Sequence, residues 1–119
     1  MTTRLPIGDA AAATGLSPDA LRYYEREGLI GPISRDTSGR RLFTEADVAW
    51  IGVVTCMRGA GLGMADLRTF TTLLRSDDEP SGRTAFLRRR REDLLGRRET
   101  LDRAIQVLEE KIEHYGEDG

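Results

Sequence analysis

Residues 14–28 read Thr14-Gly15-Leu16-Ser17-Pro18-Asp19-Ala20-Leu21-Arg22-Tyr23-Tyr24-Glu25-Arg26-Glu27-Gly28, and this stretch decides the fold. Gly15 suits the left-handed end of a helix, and the Ala-rich run from Ile7 to Thr14 predicts the helix that it stops. Ser17 offers a capping side chain and Pro18 fits the first position of a second helix, expected to run to Gly28. From Gly31 to Phe43 the chain is rich in Gly, Pro and Ser. With the run Asp36-Thr37-Ser38-Gly39 it predicts a hairpin of two short strands. A short helix, a glycine turn, a capped helix and a basic hairpin are the layout of a winged helix-turn-helix. Thr44 caps a third helix, with Asp47 placed to complement the N-terminal dipole. That helix ends near Gly59-Ala60-Gly61, and a fourth runs from about Met64 to Leu74.

The second helix carries the first candidate chemistry. Arg22 and Arg26 are four apart and share a face, with Tyr23 beside them, while Leu21 and Tyr24 point the other way, toward a core. A helix of this kind enters the DNA major groove with its N-terminal residues near base edges. In the hairpin, Arg35, Arg40 and Arg41 flank the tip at Ser38-Gly39, within reach of phosphate or a minor groove. Ser17, at the start of the second helix, and Arg58, late in the third, complete the expected DNA-contacting set.

Composition bounds the alternatives. The chain has 119 residues, enough for one compact domain and an extra helix. Its formal charge is −2, which argues against a general polycation that coats nucleic acid but allows a basic face. One cysteine rules out an intramolecular disulfide, and with one histidine it argues against a Cys/His metal cage, so neither metal nor cofactor is expected. The nearly apolar stretch from Ala46 to Met57 is far shorter than the roughly 20 residues that span a bilayer. With no signal peptide at the start, the expectation is a cytoplasmic protein with no membrane partner. Size argues against an enzyme with a deep cleft.

The last segment has a different period. Leu87, Leu94, Leu101, Leu108 and Tyr115 repeat every seven residues, and Ile105 and Ile112 take the interleaved position that Arg91 and Arg98 hold earlier. Such a repeat with charged flanks predicts a coiled-coil seam. Charge along it is polarised: Arg83 to Arg98 holds seven Arg and two acids (+5), and Glu99 to Gly119 holds two bases and seven acids (−5). The domain expectation is therefore a mainly α chain: 1–75 as winged helix-turn-helix head, 76–82 as linker and 83–119 as dimerisation helix.

The string from Ile7 through Leu29-Ile30, with its Leu21-Arg22-Tyr23-Tyr24-Glu25 run, resembles the opening of the MerR-type transcription regulators. The wing Ser38-Gly39-Arg40-Arg41-Leu42-Phe43-Thr44 resembles theirs too, although that family often shows Gly-Tyr-Arg where this chain has Gly39-Arg40-Arg41. The resemblance implies a homodimer joined by an antiparallel coiled coil of the last helix. It also implies binding to a pseudo-palindromic double-stranded promoter that is bent and untwisted, with RNA polymerase as an indirect partner. The surroundings of Cys56, from Trp50-Ile51 to Ala60-Gly61-Leu62, resemble a small subgroup associated with aldehyde, electrophile or nitrosative stress. There one cysteine at this place is the proposed sensor. A thiolate must be accessible to react, and the competing reading is a buried Cys serving as a small apolar side chain. The rival functions are a coiled-coil adaptor, a MerR-type regulator with no small-molecule effector, and a small thiol enzyme. The last lacks a histidine near its thiol, because His114 lies in the coil.

Overall fold

The computed structural model describes residues 4–75 and 80–116. The chain divides into two compact units, Met1–Asp78 and Glu79–Gly119, each described by itself below. In the first unit, β1 (Leu5–Pro6) leads into α1 (Ile7–Thr14) and α2 (Pro18–Arg26). The wing strands β2 (Ser34–Arg35) and β3 (Arg41–Phe43) follow, then α3 (Glu45–Gly59) and α4 (Met64–Arg75). The second unit is one helix, α5 (Pro80–Gly116).

Local chemistry accounts for the helix boundaries. Gly15 takes the left-handed conformation after α1, with φ +74°, so the chain turns at once into the Ser17 cap. The Ser17 hydroxyl accepts from the Ala20 N–H at 3.1 Å, and Pro18 is the first residue of α2. α2 ends at Arg26, two residues short of the expected Gly28. Thr44 and Asp47 form a reciprocal capping box on α3, in which the Asp47 carboxylate accepts from the Thr44 N–H at 2.9 Å.

The sheet has three strands rather than the two expected. β3 lies in the middle, antiparallel to β2 through Ser34↔Leu42 and Arg35↔Arg41, and antiparallel to β1 through Leu5↔Phe43 and Pro6↔Leu42. β1 is illegible as a strand because it is two residues long and contains a proline, which a sheet tolerates at its edge. Fully buried Leu21, Leu29, Phe43, Ile51, Val54 and Leu67 form the core of the head, one or more from each of α2, β3, α3 and α4. Trp50 stacks on Phe70 with ring centroids 5.6 Å apart.

The segment expected as linker, 76–82, overlaps the start of α5. Residues 76–79 lie outside the described residues, and α5 starts at Pro80, so 80–82 belong to its first turn. Proline is at home there: its φ is already helical, and the N–H it lacks has no intrahelical acceptor. α5 runs for 37 residues, about 55 Å at 1.5 Å per residue.

The wing is tied to α2 by one carboxylate. Glu25 Oε1 accepts from Arg41 Nε on β3 at 2.6 Å, and Oε2 accepts from the Ile33 N–H at 2.8 Å. Burial pushes the Glu25 pKa up. The Arg41 hydrogen bond, the Ile33 N–H and the charges of Arg41 and Arg35 outweigh it and hold the group below its ordinary value. A carboxyl with a depressed folded pKa stabilises above its unfolded value, near 4.3, and loses that contribution as pH falls through the folded value. Glu25→Gln is therefore expected to cost about 1–2 kcal/mol at pH 7. In thermal melts followed from pH 7 to pH 3, its gap from wild type narrows below about pH 4.5.

Candidate nucleic-acid interface

The expected residues of α2 lie as their spacing requires. Leu21 and Tyr24 are buried, while Arg22 and Arg26 are exposed and Tyr23 is half-buried. Arg22 Nη1 donates to Asp19 Oδ1 at 2.8 Å, and Asp19 is almost fully exposed, so this pair gives way readily to a competing anion. The Arg26 guanidinium lies 5.6 Å from the Tyr23 ring centroid, which steadies a long side chain beside the tyrosine. The Ser17 hydroxyl is occupied as the α2 cap.

The wing tip is built by Asp36. Its Oδ1 accepts from the Ser38 N–H at 2.9 Å, the Ser38 hydroxyl at 2.7 Å and the Arg40 N–H at 2.9 Å. Gly39, at φ +86°, supplies the left-handed residue that this turn needs. The Ser38 hydroxyl first, then the Arg40 N–H, hold the Asp36 carboxyl below its ordinary range. Arg35 Nη1 donates to the Gly39 carbonyl at 2.9 Å and closes the tip from the other side. Arg35 and Arg40 are exposed.

Helix and wing meet. Arg22 from α2, Arg40 and Arg41 from the hairpin, Gly39 at its tip and Pro6-Ile7 line one cleft of about 240 Å³. Two exposed arginines from different elements, Arg22 and Arg40, thus lie beside one cleft, and their planar forks suit an anion with several acceptor oxygens.

Two of the residues expected at DNA, Arg41 and Arg58, have partners within the head. Arg41 is ion-paired to Glu25, with its side chain only 22% exposed. Arg58 lies over the Tyr24 ring at 5.6 Å and its Nη1 donates to the Tyr24 hydroxyl at 3.3 Å. Two arginines that the residues alone did not single out are also structural. Arg68 donates to the Glu27 carbonyl at 2.8 Å and to the Glu27 carboxylate at 2.6 Å. Arg75 approaches Asp47 at 3.5 Å and lies over Trp50. Nothing in their spacing marks them, because their partners are 28 and 41 positions away.

Cys56 is exposed near the end of α3, so it is not a core residue of this head. On α5, Leu101, Ile105, Leu108, Ile112 and Tyr115 are 51–70% exposed, Leu87 is exposed and Leu94 half-buried. Among the described residues no group of three or more His, Cys, Asp or Glu side chains is placed to hold a metal, and no helix is long and apolar enough to cross a membrane.

This geometry has known counterparts. Residues 5–73 match the family described as MerR HTH family regulatory protein. The HTH-type transcriptional regulator AdhR of Bacillus subtilis (strain 168) is 46% identical over 72 residues, covering 60% of this chain and 51% of AdhR. The matched region thus spans about half the length of that relative. A Listeria monocytogenes structure assigned to the MerR family matches with TM-score 0.87 at 38% identity, over 93% of this chain and 85% of that one. HiNmlR, a MerR family regulator lacking the sensor domain and solved bound to promoter DNA, matches with TM-score 0.83 at 28% identity. That match covers 98% of this chain and 92% of HiNmlR. Proteins of this kind regulate transcription and are not enzymes. With more than half of its length, residues 5–73, matching the family's pattern, the chain belongs to the MerR family of helix-turn-helix regulators.

Proposed function

We propose that this chain is a homodimeric regulator that binds a pseudo-palindromic promoter and distorts it. The observation that carries the reading is that Arg22 on α2 and Arg40 of the wing, both exposed, line one cleft. In that arrangement α2 enters a major groove while the wing straddles the adjacent backbone. Arg22, Tyr23 and Arg26 face the bases, and Arg35 and Arg40 face phosphate. Similarity to HiNmlR, solved on promoter DNA, supports the same partner here.

Dimerisation through α5 follows from its exposed apolar stripe and its polarised charge. In an antiparallel pair the +5 half of one helix lies beside the −5 half of its partner, whereas parallel pairing sets Arg91 and Arg98 against their own copies. Exposed ion pairs contribute only about 0–1 kcal/mol each, so charge selects orientation while the leucine layers supply affinity.

The regulatory part of the proposal concerns Cys56. Its exposure fits a thiol that meets small electrophiles directly. The signal then starts at the surface of α3, one turn before the Gly59-Ala60-Gly61 segment that leads to α4, and changes the shape of bound DNA more than the affinity for it.

Three measurements test this reading. With Arg35 and Arg40 of each protomer neutralising about four phosphates per dimer, log K falls against log salt with a slope of about −3.6. Arg22→Ala relaxes site preference by about 1–3 kcal/mol at the contacted base, and Arg40→Ala weakens all sequences alike. Equal affinity for mixed-sequence and selected duplexes at physiological salt excludes specific regulation. Thr84→Cys on one chain cross-links to Tyr115→Cys on the other if the coil is antiparallel, while efficient 84-to-84 cross-linking identifies a parallel pair. Cys56 is expected to alkylate in native buffer, and Cys56→Ala to abolish the transcriptional response to electrophiles while leaving promoter binding intact. A full response from that variant removes the sensor role.

A further inference from the structure

We propose that Glu25 is the positioning residue of the wing, fixing the hairpin to α2 so that the tip and the α2 face engage one duplex together. The inference rests on the DNA-binding reading and assigns a role to a residue that does not itself face DNA. Each oxygen of the Glu25 carboxylate has its own partner, Arg41 Nε at 2.6 Å and the Ile33 N–H at 2.8 Å. These partners belong to different sides of the hairpin: Ile33 immediately precedes β2, and Arg41 opens β3. One carboxylate on the recognition helix therefore holds both strands where they leave the head.

The rest of the wing makes this tether matter. β2 pairs with β3 alone, through two residue pairs, and β3 is held to β1 by another two. A two-stranded ribbon so short has little stability of its own. Its tip, by contrast, is stiff, because Asp36 takes three donors and Arg35 locks the Gly39 carbonyl. A stiff tip on a short ribbon points where its base points, and Glu25 sets the base. The pair is mostly shielded from water, with the Glu25 and Arg41 side chains 17% and 22% exposed, so it is a firmer link than a surface ion pair. Arg41 then serves DNA binding through Glu25, and the exposed arginines left to meet phosphate at the tip are Arg40 and Arg35, the latter with its donors beyond the one on Gly39.

Removing a negative charge near a DNA-binding face ordinarily tightens binding, and positioning predicts the opposite sign. Glu25→Gln keeps the size but offers one acceptor oxygen instead of two. Its affinity for a duplex, selected by the wild-type dimer from a random-sequence pool, is expected to fall about tenfold, the loss of one charge-assisted hydrogen bond. The measurement is made by fluorescence anisotropy at a temperature where circular dichroism shows the variant fully folded. Arg41→Lys preserves the charge but not the Nε donor, and is expected to lose a similar factor, which a simple phosphate ligand would not. The double variant should bind no worse than either single one, because both cut the same link. Unchanged or tighter binding by Glu25→Gln, with a steeper salt slope from a released Arg41, overturns the proposal. If Glu25→Gln fails to fold, Arg41→Lys decides alone: weaker binding supports positioning and wild-type affinity overturns it. Failure of the wild type to select any duplex overturns the DNA-binding reading instead.

Discussion

The carbonyl oxygen of Leu29 accepts two side-chain hydrogen bonds, from Trp50 Nε1 at 3.1 Å and from Thr71 Oγ1 at 2.6 Å. Leu29 lies just past the end of α2, and its own N–H donates to the Tyr24 carbonyl. One buried acceptor therefore ties the exit of the recognition helix to α3 and α4 at once. A buried carbonyl left unpaired costs about 1–3 kcal/mol, so both donors are held in place by the group they satisfy. Arg68 repeats the device two residues earlier, capping the Glu27 carbonyl from α4. With Tyr24 gripped by Arg58 and Glu25 tied to the wing, the C-terminal half of α2 is fixed from α3, α4 and the wing. What stays open to solvent is the face bearing Arg22 and Arg26.

The helices were legible because their signals are local. Gly15, Ser17-Pro18 and Thr44 with Asp47 each act within a few residues of the boundary they define, and the boundaries of α1, α2 and α3 fall within two residues of expectation. The contacts that orient those helices were not legible. Glu25 meets Arg41 across 16 positions, Trp50 meets Leu29 across 21 and Thr71 meets Leu29 across 42. No periodicity encodes such pairings, because they exist only once the core has set the helices side by side. The β1 strand was lost for a related reason: two residues give no alternation to read.

Arginine shows the limit most sharply. A basic face read from sequence treats each arginine near a turn or a helix exposure as available. In the folded head they divide into two kinds. Arg41, Arg58, Arg68 and Arg75 are spent on Glu25, Tyr24, Glu27 and Asp47, binding one element to the next. Arg35 and Arg40 stand at the tip, and Arg22 and Arg26 on α2, joined only to exposed or yielding partners. The same side chain does both jobs because its planar fork suits carboxylates, carbonyls and aromatic faces inside as well as phosphates outside. Burial of the partner decides which job it does.

This division explains how a chain of net charge −2 can present a basic surface. In the head, Glu25, Glu27 and Asp47 each neutralise an arginine from another element, which leaves Arg22, Arg26, Arg35 and Arg40 to set the charge of the α2 face and the wing tip. On α5 the cancellation is between its two halves, +5 then −5, and leaves each half strongly charged. Summed charge erases both patterns, although they act at different ranges. The internal pairs act in contact, where low dielectric makes geometry decisive, while the helix halves act along tens of ångströms and are weakened by salt. On the proposed reading, high salt strips DNA from the head and loosens the orientation preference of an α5 pair well before it disturbs the Glu25 links between wing and α2.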